Sequence, residues 1–312
     1  MNMFTLFICL NVFSIMLCLS SSSWFLMWVS IELSTFSFIP LMVSNDSKSK
    51  LISSWKYYVI QSVSSVVLMF CFLFPGSNET VSAGLVCALL VKMGMHPFSG
   101  WVIHVGGNLG WWGIYMLSTL QKAVPTVIVS KLWIYSTHFS ISSVICCLLG
   151  FSFLVLMHSI QWAILYSSVF NISWMLAGSV SGSEEMVFYY MVYIYQLWVL
   201  FLTMKKGELT STMRNSSVKV EAPALVLCFF FLMGIPPLGM FLPKINILST
   251  LWGSELYLLF SSLTILTSFT FIMYLKLFVN KLISPTGEKL GSLNPWLSVS
   301  ALMVIPLGFS LL

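Results

Sequence analysis

Charge is what this sequence has least of. Only 7% of its 312 residues are Asp, Glu, Lys or Arg, whereas soluble domains carry about a quarter. Its seven cysteines are scattered and lack the Cys-x-x-Cys spacing, which argues against a disulfide framework and an iron–sulfur site. The four histidines stand singly, so we predict no metal site. A glycine cluster at 106–110 follows no predicted strand, and we do not expect a nucleotide site there.

Long apolar runs are what the sequence has in abundance. Hydrophobic residues make up 58% of the chain, and apolar segments of about 20 residues, the length that spans a bilayer core, follow one another from end to end. We therefore predict an all-α polytopic membrane protein with a single domain over 1–312 and about 11 transmembrane helices. The helices are expected at 3–20, 23–43, 55–74, 80–97, 108–136, 139–157, 160–181, 185–204, 221–252, 254–282 and 295–312.

The charges in the connections support this helix count. When the connections alternate between two sides, every loop Lys and Arg falls on the side of the N-terminus, and the other side receives only Glu. By the positive-inside rule, the N-terminus lies on the inner side and the C-terminus on the outer side. The net charge of +5 thus orients the chain and does not suggest nucleic-acid binding. The inner basic residues are Lys48, Lys50, Lys56, Lys205, Lys206, Arg214, Lys219, Lys281 and Lys289.

Six charged residues remain inside predicted helices. Lys131 and Lys276 are near helix ends, where a long side chain reaches the interface. The other four lie about 12 to 21 Å from the nearer helix end at 1.5 Å per residue. A charge at that depth costs roughly 2.5 to 3.5 kcal/mol. These four are Glu32, Lys92, Lys122 and Lys244. Structural ion pairing could account for Glu32 with one lysine, but it leaves the other two lysines without acidic partners. We therefore interpret the four residues as a proton relay.

Two similar glycine–proline motifs recur in the two halves of the chain. The first holds Gly94 and Pro97, and the second holds Gly234, Pro236 and Pro237. Proline removes a backbone donor and glycine tolerates a bend, so we predict that both motifs interrupt helices. Broken helices at corresponding positions are typical of inverted-repeat transporters with ion sites at the breaks. We expect five-helix repeats at about 1–136 and 139–282, and an additional helix at about 295–312.

Six segments in order resemble one known family. At this level of detail the chain resembles the subunit 2 family of NADH:ubiquinone oxidoreductase, respiratory complex I, in the short form encoded in animal mitochondrial genomes. The segments are "WVSIELSTFSFIPLM" with Glu32, "KYYVIQSVSSVVL", "KMGMHPFSGWV" with Lys92, "STLQKAVP" with Lys122, "ILYSSVFNISWM" with Tyr166, Ser167 and Asn171, and "GIPPLGMFLPK" with Lys244.

The resemblance implies an antiporter-like, proton-translocating subunit of the membrane arm, which is part of the enzyme without a complete active site of its own. It implies that Glu32 and Lys92 form a coupled pair, that Lys122 is the central relay, and that Lys244 passes the proton onward. It further implies that NADH, FMN, iron–sulfur clusters and ubiquinone are bound elsewhere in the complex. The expected partners are neighbouring membrane-arm subunits and the lipid of the mitochondrial inner membrane, with the N-terminus in the matrix and the C-terminus in the intermembrane space.

The sequence departs from the family pattern between the two central lysines. Ile160, Gln161 and Trp162 stand where the family usually has a basic run, and Asn171 stands where it often has histidine. Tyr166, Ser167 and Asn171 form a possible polar path between Lys122 and Lys244. Because Asn171 cannot titrate, this path lacks an evident protonatable group. Two alternatives remain open: a free-standing cation/proton antiporter, and a non-catalytic scaffold.

Overall fold

The computed structural model describes residues 3–43, 48–74, 79–132, 136–154, 160–212, 227–234 and 239–282, and these ranges contain helices and no strand. Helices suit a bilayer because they satisfy their own backbone hydrogen bonds. The helices are α1 (Met3–Ser20), α2 (Trp24–Val43), α3 (Lys48–Leu73), α4 (Glu79–Met93), α5 (Gly100–Gly106), α6 (Trp111–Ser118), α7 (Leu120–Lys131), α8 (Ser136–Leu154), α9 (Ile160–Ser181), α10 (Ser183–Thr212), α11 (227–233), α12 (Phe241–Gly253) and α13 (Tyr257–Leu282).

Helix α9 is the centre of the molecule. Its residues are almost entirely buried, and it packs against α5, α6, α7, α8, α10, α12 and α13. By contrast, α1 and α3 expose large apolar side chains such as Phe13 and Val66, as expected for helices that face lipid. Within the described residues, five helices are long and apolar enough to cross a membrane, namely α1, α2, α3, α9 and the Ser183–Met204 part of α10.

The first predicted break is present, and it lies earlier than expected. Helix α4 ends at Met93, whereas the sequence predicted a helix over 80–97. Gly94 has φ +73°, its N–H bonds Val91 O at 3.1 Å, and the N–H of Met95 bonds Leu90 O at 3.0 Å. This pattern is a Schellman cap, which needs a left-handed residue directly after the helix. Pro97 lies in the turn that follows, and the chain resumes as α5.

The second break begins with the same turn. Helix α11 ends at 233, and Gly234 has φ +78° with its N–H bonded to Phe231 O at 3.3 Å. Helix α12 starts at Phe241. The predicted helix over 221–252 is therefore interrupted, as the motif indicated. Pro236 and Pro237 lie outside the described residues.

The predicted helix over 108–136 is wrong, because it consists of two helices, α6 and α7, that meet at Thr119. The Thr119 N–H and hydroxyl both bond Tyr115 O, at 3.0 and 2.7 Å. Serine and threonine side chains that bond the preceding turn offer the backbone an alternative to a regular helix. Pro125, inside α7, also lacks the N–H that would bond the preceding turn. The interruption lies three residues before Lys122.

Two further boundaries differ from the prediction. Helix α3 begins at Lys48, seven residues before the predicted start, and α10 continues to Thr212 instead of ending at 204. The additional helix predicted over 295–312 lies outside the described residues. The five-helix repeats stay a prediction.

Candidate functional site

The three lysines of the predicted relay are buried, and each lies beside a helix interruption. Their exposed fractions are 3% for Lys92, 2% for Lys122 and 7% for Lys244. Lys92 is in the last turn of α4, Lys122 in the first turn of α7, and Lys244 in the first turn of α12. An interrupted helix leaves carbonyl groups without intrahelical partners, and Lys244 bonds such a carbonyl. Lys92 and Lys122 instead bond backbone carbonyls of neighbouring helices.

Lys92 is held against α3 rather than against an acid. Its Nζ donates to Gln61 O at 3.1 Å, and Gln61 Nε2 donates to Lys92 O at 3.5 Å. Glu32, on α2, is half-buried, and its Oε1 is buried with no hydrogen-bond partner in the described part of the chain. Glu32 lies near enough to Lys92 for their two charges to interact. The two side chains predicted to form a pair are therefore neighbours without a direct hydrogen bond in this conformation.

A buried hydrogen-bonded bridge crosses from α3 to α7, and the sequence did not single it out. The hydroxyl of Tyr57 donates to Gln121 Oε1 at 2.6 Å, and Gln121 Nε2 donates to Asn11 Oδ1 at 2.9 Å. Tyr57 lies one turn from Gln61, which holds Lys92, and Gln121 directly precedes Lys122. The bridge thus lies between the surroundings of the first and second lysines. Side-chain amides separated by more than 100 residues give no local pattern by which to find it.

Lys122 contacts the central helix. Its Nζ donates to Ser168 O on α9 at 2.6 Å. Tyr166 and Ser167, from the same predicted polar path, are each 3% exposed, and the Ser167 hydroxyl donates back to Ile164 O at 2.8 Å. The Tyr-Ser-Ser segment therefore places a backbone carbonyl, and not a serine hydroxyl, against the lysine.

Lys244 forms a hydrogen bond across the second break, to the helix that precedes it. Its Nζ donates to Met233 O at 2.8 Å and lies 5.5 Å from the centre of the Trp174 ring. Met233 is the last residue of α11, so the ammonium caps the C-terminal end of the first half of a broken helix, where positive charge is favourable. The ring of Trp174 adds a cation–π contact. A Cβ at Gly234 would lie 3.2 Å from the Lys244 side chain, so glycine also makes room for the lysine.

The remaining helical lysines divide as follows. Lys131 is exposed, and its Nζ donates to Cys18 O, Leu19 O and Ser21 O at 2.7, 3.3 and 2.6 Å. It caps α1 and takes no part in the buried set, which agrees with its predicted place near a helix end. The side chain of Lys276 lies outside the described residues. Among the described residues, no three His, Cys, Asp or Glu side chains come together in a way that suits a metal ion.

A known protein family matches the part of the chain that contains these three lysines. Residues 75–270, more than half of the chain, match the family described as NADH:quinone oxidoreductase/Mrp antiporter, transmembrane. The chain belongs to this family. The match includes both breaks and three of the four predicted relay residues, Lys92, Lys122 and Lys244, whereas Glu32 precedes the matched region.

Several relatives of this chain share one name. NADH-ubiquinone oxidoreductase chain 2 of Artemia franciscana is 28% identical over 285 residues, which cover 89% of this chain and 90% of the relative. The protein of the same name from Anopheles gambiae is 28% identical over 291 residues, covering 87% and 84%. The similarity therefore extends over most of both chains and is not confined to one motif.

Chains of two solved structures share the fold. A chain of respiratory complex I from Thermus thermophilus superposes with a TM-score of 0.81 at 15% identity, over 99% of this chain and 78% of the other. A chain of the Mrp complex from Dietzia sp. DQ12-45-1b gives a TM-score of 0.76 at 16% identity, over 92% and 60%. The chain is thus an all-helical membrane protein of the antiporter-like fold.

Proposed function

We propose that this chain is subunit 2 of NADH:ubiquinone oxidoreductase, an antiporter-like subunit, and that it moves protons outward across the mitochondrial inner membrane. The observation that carries the proposal is the set of three buried lysines, each beside a helix interruption, in a chain of this family. Its neighbours are other subunits of the membrane arm. NADH, FMN, iron–sulfur clusters and ubiquinone belong to other parts of the complex, and this chain contributes no redox step.

The acceptors of the lysines favour proton exchange over permanent ion pairing. Lys92, Lys122 and Lys244 each donate to a backbone carbonyl, which is neutral. A lysine held by a carboxylate would leave that acid buried and uncompensated on losing its proton, which is strongly unfavourable. A lysine held by a carbonyl leaves no such charge behind. Lys122 and Lys244 can therefore release and regain a proton without breaking a buried ion pair, whereas the proton on Lys92 is coupled to the charge of the nearby Glu32.

The same charges argue against a metal cation as the transported ion. Among the described residues, three buried ammonium groups with a single nearby acid, Glu32, would repel Na⁺ or K⁺, since like charges in a low-dielectric interior interact strongly. Protons avoid this difficulty because the lysines themselves carry them. In the proposed order, Glu32 and Lys92 form the coupled pair, Lys122 is the central stop and Lys244 passes the proton onward. The N-terminus and the basic connections face the matrix, and the C-terminus faces the intermembrane space.

Native separation followed by transport measurement tests the proposal. Extracted in mild detergent, the chain should comigrate with a large assembly that oxidises NADH, and vesicles carrying that assembly should acidify when NADH and a quinone are supplied. A free-standing cation/proton antiporter would instead migrate as a small oligomer. It would exchange protons against Na⁺ or K⁺ without NADH. That result would replace the proposed function, and the likeness to the Mrp chain makes it the specific alternative.

A further inference from the structure

Lys122 and Lys244 both contact helix α9. The sequence offers no evident protonatable group between these two lysines. Lys122 donates to Ser168 O, and Lys244 lies over the Trp174 ring. Asn171 is midway between these contacts, and positions three residues apart share a helix face. Six residues of helix rise about 9 Å. The gap that a proton must cross between the two lysines thus runs along a short stripe of α9 with Asn171 at its centre.

Two tyrosines of α10 cover this stripe. The hydroxyl of Tyr189 donates to Asn171 Oδ1 at 2.6 Å, and its ring stacks on Trp174 at a centroid distance of 6.2 Å and an interplanar angle of 7°. Tyr193 lies one turn further along α10, beside the side chains of Asn171 and Ser168. Both tyrosines are 0% exposed. The two hydroxyls therefore stand over the same stretch of α9 that separates Lys122 from Lys244.

The polar side chains on this face of α10 are not all satisfied by protein. The Tyr193 hydroxyl and both polar atoms of Gln196 are buried and form no hydrogen bond of good geometry with the described residues. Gln196 points at the second break, since a Cβ at Gly239 would lie 2.6 Å from its Nε2. Buried polar groups of this kind are ordinarily satisfied by bound water. A polar row thus extends from Asn171 toward the break that precedes Lys244.

We propose that the hydroxyls of Tyr189 and Tyr193, linked by water and with Tyr189 held by Asn171, carry protons between Lys122 and Lys244. The inference rests on the proposed function and adds the groups that carry the proton past Asn171. One proton leaves the Lys122 ammonium, each hydroxyl accepts a proton on its oxygen while it releases its own, and one proton arrives at the neutral amine of Lys244. No electron moves, and both tyrosines end neutral. Asn171 is a positioning residue, because its amide orients the Tyr189 hydroxyl.

A purely structural role for the cluster makes the opposite prediction at Tyr193. The Tyr193 hydroxyl forms no hydrogen bond of good geometry with described residues, so its removal breaks no direct hydrogen bond among them. If the hydroxyl only fills space, Tyr193→Phe leaves assembly and rate unchanged. If it relays protons, assembly is preserved and the rate falls. The two roles therefore separate on transport in a variant that is expected to fold.

The test uses the assembled complex in vesicles. We expect Tyr193→Phe and Tyr189→Phe each to lower NADH-driven acidification and NADH:quinone turnover by about fivefold or more, as for loss of a proton-transfer group. We also expect an altered solvent deuterium isotope effect in both. Tyr190→Phe is the matched control, because this neighbouring buried tyrosine donates instead to Thr119 O at 2.8 Å. Its loss should change the rates by less than about twofold and leave the isotope effect unchanged.

A rescue variant separates proton transfer from packing. In the Tyr189→Phe background, Asn171→His supplies an imidazole that accepts and releases protons, and it should restore about half of the lost rate. Normal rates and a normal isotope effect in assembled Tyr189→Phe and Tyr193→Phe complexes would overturn the inference alone if Lys122→Met still impairs transport. If Lys122→Met is also silent, the proposed function itself fails. Should Tyr189→Phe not assemble, Tyr193→Phe decides the question.

Discussion

Replacement of the central lysine by methionine is the sharpest test of the proposed relay. Lys122→Met keeps an unbranched side chain of similar length and removes the ammonium. The group lost donates one hydrogen bond, to Ser168 O at 2.6 Å. That carbonyl lies within α9 and keeps its intrahelical partner four residues on. The substitution therefore leaves no polar group of α9 without a hydrogen bond.

The structure predicts that folding tolerates this change. A hydrogen bond to a charged group contributes about 1.5 to 3 kcal/mol, and this contribution is lost. The desolvation of a buried ammonium, an effective cost of several kcal/mol, disappears at the same time. The two terms oppose one another, so we expect the stability of the assembled complex to be unchanged or slightly raised. Nothing replaces the ammonium in proton transfer. We therefore expect the rate of proton transfer to fall about tenfold or more, which corresponds to a rise of about 1.4 kcal/mol in the barrier.

The assay measures NADH:quinone turnover and acidification of vesicles, with subunit content checked on a native gel. The proposed function couples electron transfer to pumping, so both rates should fall together. Lys131→Met is the matched control on the same helix, since this lysine is exposed and caps α1. Its loss should cost about 1 kcal/mol of local stability and leave both rates intact. Normal rates in a fully assembled Lys122→Met complex would refute the obligatory role of Lys122.

Three further outcomes follow from the geometry. Glu32→Gln and Lys92→Met should each slow turnover, and the double variant should be less than additive with a coupling of about 0.5 to 3 kcal/mol, whereas strict additivity in the double-mutant cycle would remove the pairing. Gly94→Ala should cost about 1 to 3 kcal/mol through a left-handed residue and a collision with Val102, measured as a lower melting temperature of the complex; an unchanged value would contradict the role of the cap. Cysteines at Ser47 and Ser183 should react with an impermeant thiol reagent from opposite sides of the membrane, and reaction from one side would mean that the predicted topology is wrong.

The burial of the relay lysines was predictable because a membrane leaves few places for charge. A lysine in the middle of an apolar run is either buried in protein or placed at a helix end, and position in the run distinguishes Lys122 from Lys131. The helix breaks were predictable for a similar reason. Gly94 and Gly234 adopt a left-handed conformation, with φ +73° and +78°, that other residues rarely take. A glycine shortly before a proline in an apolar run therefore indicates the end of a helix.

The acceptors of the lysines were not predictable. The family resemblance implied that Glu32 and Lys92 form a coupled pair, yet the Lys92 ammonium donates to Gln61 O. Backbone carbonyls are present at every residue and carry no signal of their availability. The interruption at Thr119 was not predictable either. Nothing in "STLQKAVP" distinguishes a threonine that bonds the preceding turn from one that faces a neighbouring helix.

The tyrosines beside Asn171 show most clearly what could not be predicted from the sequence. Tyr189 and Tyr193 are four residues apart and therefore share a face of α10, but aromatic residues at helical spacing in a membrane protein ordinarily pack against apolar neighbours. Their significance depends on what faces them, and Asn171 lies on another helix. Because Asn171 does not titrate, the sequence offered no evident protonatable group on the path. In the structure the Tyr189 hydroxyl bonds that very amide, so the group that can pass the proton belongs to α10, and only packing of the two helices brings it to the path.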